Sequence, residues 1–260
     1  MSHELSIFGK LKNAMITSCD DVLYFSDNET QLLDAEYLLT VNSAKSIREL
    51  NRHFGTPYNI FLENDTKKFA TSCTPLLGRE NADNFLGYRH VIRNSNNTLR
   101  SGKIDIAVYT NKNGDDIPIC AIEVKGFNPN KSLIIADLER NSEYFRLTSR
   151  TGASILPFAF FISLHSYKGV WNDKKEKSNI LKLENRYKKY INDSENLKNL
   201  HQSVEAFTIR RGVIPDANDP YIQEHGLRGD EDYQFVGVVI TTKQPQACQS
   251  IATQQKCADV

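Results

Sequence analysis

One stretch, GKIDIAVYTNKNGDDIPICAIEVKG, which begins at Gly102, restricts the possible folds of this chain more than any other feature. Two runs rich in Ile, Val and Ala, residues 103–110 and 117–125, lie on either side of NKNGDD, whose residues tolerate the positive φ of a tight turn. The pattern predicts a β-hairpin apolar enough to be buried. The two apolar runs nevertheless contain three charged residues where apolar side chains are expected: Asp105, Glu123 and Lys125.

The pairing of the two strands decides whether these charges meet. Side chains alternate faces along a strand, so Glu123 and Lys125 share one face. If Lys112 pairs with Asp116 across a three-residue loop, Asp105 lies directly opposite Glu123. A two-residue Asn-Gly loop would turn one strand over, and a bulge would then be needed to keep the acids together. We expect two carboxylates and an ammonium group on one sheet face.

Such a cluster has a chemical use. Two carboxylates about 5 Å apart repel each other unless a cation lies between them, and hard oxygen ligands suit Mg²⁺ or Mn²⁺. The metal can polarise a phosphoryl oxygen and lower the pKa of bound water, while a lysine beside it orients or deprotonates that water. The pattern therefore predicts a phosphodiester hydrolysis site, with Asp105 and Glu123 as metal ligands and Lys125 as the catalytic lysine.

GKIDIAVY followed by IPICAIEVKG resembles the Asp…Glu-x-Lys core of the PD-(D/E)XK nuclease superfamily. The resemblance implies the two metal-binding acids and the catalytic lysine named above. Ile104 stands where members often have a proline. Many members also place a glutamate of the first helix near the metal, which implies Glu36 in DAEYLLT as a further catalytic and metal-binding residue, with Glu29 as the alternative.

The resemblance implies an α/β (α+β) protein with a restriction-endonuclease-like core, in which helices flank a central mixed β-sheet. Periodicity and breaker residues give the element order. The predicted helices are 29–53, 132–150 and 173–200, and the predicted strands are 57–64, 103–110, 117–125, 153–167 and 232–242.

The expected organisation is a single domain over residues 1–243. Its core, about residues 29–165, has the element order of the superfamily over roughly half of the chain, and a C-terminal helix-and-strand extension covers about 166–243. Residues 65–100 are expected to be irregular, with one short element around 84–92. The Gln-rich tail 244–260 has no period and predicts disorder.

Further basic residues and one histidine are weaker candidates. Arg100 and Lys103 lie beside the first acid and Arg140 follows the motif on a helix, so each is a candidate contact to nucleic-acid phosphates. A lone histidine after an apolar run, His165, is more often structural than catalytic. Helix 173–200 alternates positive and negative side chains, which favours an exposed, salt-bridged helix over one that reads DNA.

Composition excludes several classes of protein. The chain has 32 basic and 32 acidic side chains, so it does not coat nucleic acid by bulk charge, and any nucleic-acid site must be a local patch. It shows no signal-peptide h-region and no apolar run long enough to span a membrane. Its five scattered cysteines include no Cys-x-x-Cys pair, which favours reduced thiols and a cytoplasmic location. Nucleotide, dinucleotide, zinc-protease and serine-hydrolase motifs are also missing from the sequence.

The leading hypothesis is a Mg²⁺-dependent DNA endonuclease, with Mn²⁺ as a substitute and RNA still open as a substrate. A single-site enzyme of this size needs to form a homodimer to cut both strands together. The resemblance suggests restriction, phage defence, or DNA repair and recombination as the setting. Alternatives are a catalytically inactive module that keeps the fold and binds nucleic acid or protein, and a regulatory protein. A structural alternative places Glu123 and Lys125 on the solvated face of an edge strand.

Overall fold

The computed structural model describes residues 2–25, 35–52, 58–75, 102–112, 115–149, 152–170, 172–212 and 233–245. The α-helices of these residues are α1 (His3–Phe25), α2 (Ala35–Arg48), α3 (Thr66–Ser72), α4 (Lys131–Phe145) and α5 (Asp173–Asp193). The strands are β1 (Tyr58–Asp65), β2 (Lys103–Lys112), β3 (Asp115–Phe127), β4 (Thr148–Ser149), β5 (Gly152–Ala153), β6 (Ala159–Lys168), β7 (His201–Arg211) and β8 (Tyr233–Lys243). A short 3₁₀ turn, Glu49–Arg52, follows α2.

Six strands form one sheet in the order β1-β2-β3-β6-β8-β7, and β4 pairs with β5 separately. Strand β3 runs parallel to β6, and the other neighbours in the sheet are antiparallel. Parallel neighbours need a crossover connection, and α4 supplies it between β3 and β6. The predicted central mixed sheet flanked by helices is therefore confirmed.

Helices cover both faces of the sheet. Ile122 and Val124 belong to a buried apolar cluster with Leu39 of α2 and side chains of α1. Phe161, on the opposite face of β6, packs with Leu138 of α4 and with side chains of α5. Each strand of the middle of the sheet thus has two covered faces, which explains why its runs are almost continuously apolar.

The hairpin register differs from the predicted loop and agrees with the predicted bulge. Lys112 pairs with Asp115, so the pairing of Lys112 with Asp116 was wrong. The register then shifts between Val108 and Tyr109, and beyond the shift Ile106 pairs with Ile122. Pro118 lies opposite Tyr109 at this point, and a residue that lacks an N–H group is suited to a break in the ladder. Continuing the register puts Asp105 opposite Glu123.

Helix α1, helix α3 and strand β7 were not predicted. The buried stripe of α1 mixes apolar residues with Ser6, Ser18 and Cys19, which weakens its hydrophobic period. Strand β7 is at the edge of the sheet, where Ala206 is its one buried residue. Strand β7 lacks the apolar signal on which sequence patterns depend, whereas in α1 Ile7, Leu11, Met15 and Val22 recur at helical spacing and this signal was overlooked.

Several predicted boundaries were too wide. Helix α2 ends at Arg48, α4 at Phe145 and α5 at Asp193. Strand β6 begins at Ala159, because the residues that precede it form β5 and a stretch that contains Pro157. Residues 29–34, the element expected at 84–92 and the tail from 246 to 260 lie outside the described residues.

Two further observations concern the class of protein. No helix in the described part of the chain is long and apolar enough to cross a membrane. Cys19, Cys73 and Cys120 are buried free thiols. Burial raises the pKa of the Cys19 thiol to about 12, so this group stays protonated at neutral pH.

Candidate functional site

The hairpin places the two acids in the middle of the sheet. Strand β3 lies between β2 and β6, so Glu123 has a strand on either side of it. Its side chain is only 1% exposed. The alternative in which Glu123 and Lys125 lie on the solvated face of an edge strand was therefore wrong. A carboxylate at this depth is costly unless it is protonated or paired with positive charge.

The surroundings of Glu123 compensate its charge only in part. Burial raises its pKa well above the ordinary range, and the charge of Asp105 raises it further. The guanidinium of Arg140 opposes these effects, with Nη1 3.6 Å from Glu123 Oε2. The other oxygen, Oε1, is buried and has no hydrogen-bond partner among the described residues. A buried oxygen without a partner is suited to a cation.

Asp105 is fixed against the neighbouring strand. The backbone N–H of Val124 donates a hydrogen bond to Asp105 Oδ2 at 2.7 Å. Burial raises the pKa of Asp105, and the Val124 hydrogen bond and the nearby Lys125 ammonium act in the opposite direction. The hydrogen bond aims this carboxylate at β3, beside Glu123.

Lys125 extends from β3 into a set of acceptors. Its ammonium donates to Glu36 Oε1 at 2.9 Å and to the Val124 carbonyl oxygen at 2.9 Å, and Asp137 Oδ2 lies 3.3 Å away. Burial by itself would lower the pKa of Lys125, but the hydrogen bond with Glu36 and the charges of Asp137, Glu36 and Asp105 raise it overall. In this arrangement Lys125 is a protonated donor.

Glu36 reaches the cluster from another layer of the fold. It lies in the first turn of α2, the helix predicted as 29–53, and its carboxylate contacts the Lys125 ammonium. The structure thus brings together the four predicted catalytic residues, while the alternative Glu29 lies outside the described residues. Glu36 contacts the lysine, whereas its predicted role is that of a metal ligand.

Asp137 was missed by sequence reasoning. It is 2% exposed on α4, and its Oδ1 forms an ion pair with Arg140 Nη2 at 2.9 Å. Its Oδ2 has no hydrogen-bond partner within the described segments, although the Lys125 ammonium is near. The available signal was weak: an acid next to Leu138, on the apolar side of the helix that follows the motif.

The three predicted phosphate contacts have different surroundings. Arg140 directs its guanidinium into the acidic cluster, onto Glu123 and Asp137. Lys103 is exposed, with Glu63 3.6 Å away. Arg100 lies outside the described residues.

His165 has a structural environment. It is buried, and its Nε2 shares a hydrogen bond with the Tyr187 hydroxyl at 2.9 Å. Burial and, to a smaller extent, the charge of Arg186 lower the pKa of His165 to about 3. The imidazole is therefore neutral at physiological pH, and it lies against α5.

This environment makes stability depend on pH. The unfolded chain binds a proton on His165 at about pH 6.5 and the folded chain only at about pH 3, so acid favours the unfolded state between these values. The free energy of unfolding should fall by up to about 1.4 kcal/mol per pH unit below pH 6. Urea unfolding at pH 7, 6 and 5 would show the stability advantage of wild type over His165→Gln shrinking as pH falls. A constant advantage would contradict the assignment.

The described residues contain no group of three or more Asp, Glu, His or Cys side chains arranged to hold a metal ion. Asp105 and Glu123 nevertheless fit a hard cation, because they face each other, carry oxygen donors and include the unpartnered Glu123 Oε1. No family model, curated protein or solved structure matches this chain significantly.

Proposed function

We propose that the protein is a metal-dependent deoxyribonuclease that hydrolyses phosphodiester bonds with Mg²⁺, for which Mn²⁺ can substitute. The observation that carries the proposal is the buried Glu123, whose Oε1 lacks a hydrogen-bond partner, opposite Asp105 and next to a protonated lysine. An acid pair of this kind is electrostatically unfavourable without a cation, and its adjacent ammonium suits an anionic substrate.

Each residue has a distinct task in this function. Asp105 and Glu123 would hold the metal, which when bound polarises a phosphate oxygen and lowers the pKa of water. The Lys125 ammonium donates to a phosphate oxygen and offsets negative charge that builds up during hydrolysis, while the attacking water, whose pKa the metal would lower, loses its proton to bulk solvent. Glu36 and Asp137 keep that ammonium in place from two different helices.

The restriction-endonuclease-like fold is part of the same proposal. What supports it is the arrangement of α2, the acid-bearing β2–β3 hairpin, the α4 crossover and the parallel strand β6. We also retain, as predictions, a cytoplasmic enzyme and a homodimer, with restriction, phage defence or DNA repair and recombination as the setting.

The direct test is cleavage of supercoiled plasmid and of labelled single-stranded DNA in Mg²⁺, Mn²⁺ or EDTA. We expect cutting with either metal and none in EDTA, and Asp105→Asn should remove it because a metal ligand loses its charge. Nicked and linear products distinguish single-strand from concerted cutting, which bears on the homodimer. Equal cutting by Asp105→Asn would assign the activity to a contaminant or to another site.

A second candidate is an inactive module that binds nucleic acid. It is favoured by the internal pairing of the cluster, in which Glu36 and Asp137 hold Lys125 and Arg140 lies against Glu123. DNA binding without cutting in any metal would support this candidate over the nuclease.

A further inference from the structure

Helix α5 directs two of its acids to one side. Its acids are engaged by neighbouring parts of the fold: Glu176 contacts Arg211 and Thr208, and Glu184 accepts a hydrogen bond from the backbone N–H of Ala206 at 3.1 Å. These partners belong to β7, at the edge of the sheet. Glu176 and Glu184 are thus directed to the β7 edge of the sheet, whereas Asp193, the last residue of the helix, pairs with Lys131 of α4 at 3.2 Å.

The opposite flank of α5 is basic. At 100° per residue, Lys182, Arg186 and Lys189 lie within about 60° of one another, on the other side of the buried stripe from Glu184. Asp193, at the end of the helix, shares this flank, and the Lys131 ammonium of α4 offsets its charge. All three are exposed. Within the described residues none of them forms a salt bridge, whereas Lys188, on the β7-facing flank, lies 3.7 Å from Glu184. We call these three residues the basic flank.

The basic flank is directed to the part of the sheet that carries the acids. Buried Tyr187 fixes the helix, because its hydroxyl contacts Ser163 at 2.8 Å and His165 at 2.9 Å. Ser163 is the cross-strand partner of Lys125. Since one flank of α5 faces β7, the other faces α4, the helix that packs on β3 and β6, as the contacts of Lys131 with Asp193 and Tyr190 show. The charge of Arg186 is felt by His165 and Tyr167 of β6, which agrees with this orientation.

We propose that Lys182, Arg186 and Lys189 bind the phosphate backbone of duplex DNA whose scissile bond lies at the Asp105–Glu123 site. This inference rests on the proposed nuclease function. The chain has no net positive charge, so binding of a polyanion requires a local basic surface, and the flank combines such charge with the correct side of the sheet. Phosphate contacts of this kind position DNA without reading its sequence.

The test compares two variants with equal loss of charge. One replaces the flank: Lys182→Gln, Arg186→Gln and Lys189→Gln. The matched control replaces exposed lysines elsewhere on α5: Lys174→Gln, Lys177→Gln and Lys188→Gln. Binding of a fluorescent duplex is measured by anisotropy in Ca²⁺ at several salt concentrations. Circular dichroism verifies that both variants are folded.

We expect the flank variant to bind about tenfold or more weakly and to lower the salt slope of log K by about 2 to 3, since each lost phosphate contact removes close to one released counterion. The control should change affinity by less than about threefold, because charges directed away from the DNA act only through screened solvent. Equal effects of the two variants would overturn the inference.

Failure of this inference can be separated from failure of the nuclease. If wild type cuts DNA and the flank variant binds and cuts like wild type, the basic flank is wrong and the nuclease stands. If wild type binds DNA through the flank but never cuts, the nuclease is wrong, and the flank is a DNA-binding surface with no scissile bond at Asp105 and Glu123. Wild type that neither binds nor cuts duplex DNA overturns both.

Discussion

Replacing Lys125 with methionine should lower the rate of Mg²⁺-dependent DNA cutting by about 10²- to 10⁴-fold, the usual contribution of a positioned proton donor or acceptor. Methionine keeps most of the length of the side chain and removes the ammonium. The substitution also removes the ammonium that Glu36 and Asp137 share as an ion-pair partner. Single-turnover cleavage at saturating enzyme would measure the chemical step separately from DNA binding.

Two further variants make this result interpretable. Lys125→Arg keeps the positive charge between the acids but moves the donor atoms. Compared with Lys125→Met, it should recover more of the stability of wild type than of its cleavage rate. Lys10→Met removes an ion pair with Glu49 outside the cluster and should leave the rate unchanged. A chemical role of Lys125 should contribute at least about a hundredfold to the cleavage rate. A folded Lys125→Met protein whose cleavage rate is within about threefold of wild type would therefore rule out that role.

Glu123→Gln should abolish cutting and also the stabilisation of the protein by metal. A metal that binds only the folded state stabilises it by about 2.7 kcal/mol at a concentration of 100 times Kd. The amide has nearly the same shape as the carboxylate but lacks its charge and one acceptor oxygen. Thermal unfolding in EDTA and in increasing Mn²⁺ would show the shift in wild type and its loss in the variant.

The same measurement separates a ligand from a structural acid. Glu123 is buried beside Asp105, so removing its charge should leave the protein in EDTA at least as stable as wild type. Glu63→Gln, an exposed substitution on β1, should keep the full metal shift. A Glu123→Gln protein that is destabilised in EDTA yet still shifted by Mn²⁺ would show that Glu123 is structural.

The hairpin was predictable because its signal is local. Apolar runs on both sides of an Asn-Gly turn predict the pairing, and alternation then puts Glu123 and Lys125 on one face. Asp105 could lie opposite Glu123 only if the hairpin had a longer loop or a bulge. The structure contains the bulge, at Val108 and Tyr109.

The partners of the lysine were less predictable. Asp137 lies twelve residues beyond Lys125, on a helix whose rotation depends on packing against β6, and no spacing rule fixes that rotation. Glu36 was found through family resemblance, because helical period alone does not aim a side chain at a particular strand. The charge separation on α5 was hidden for a related reason: Glu176 and Glu184 are sequestered by β7, an edge strand with little apolar signal.

The contacts of one ammonium also have a consequence for dissecting the chain. Glu36, Lys125 and Asp137 come from three separate segments, and β3 is held on its far side by β6. A fragment that contains only the hairpin would retain Asp105 and Glu123 but lose Glu36 and Asp137, the two acids that form ion pairs with Lys125. Truncation or proteolytic nicking should therefore abolish function before it destroys the hairpin itself, and cleavage of DNA would report the assembly of the whole sheet.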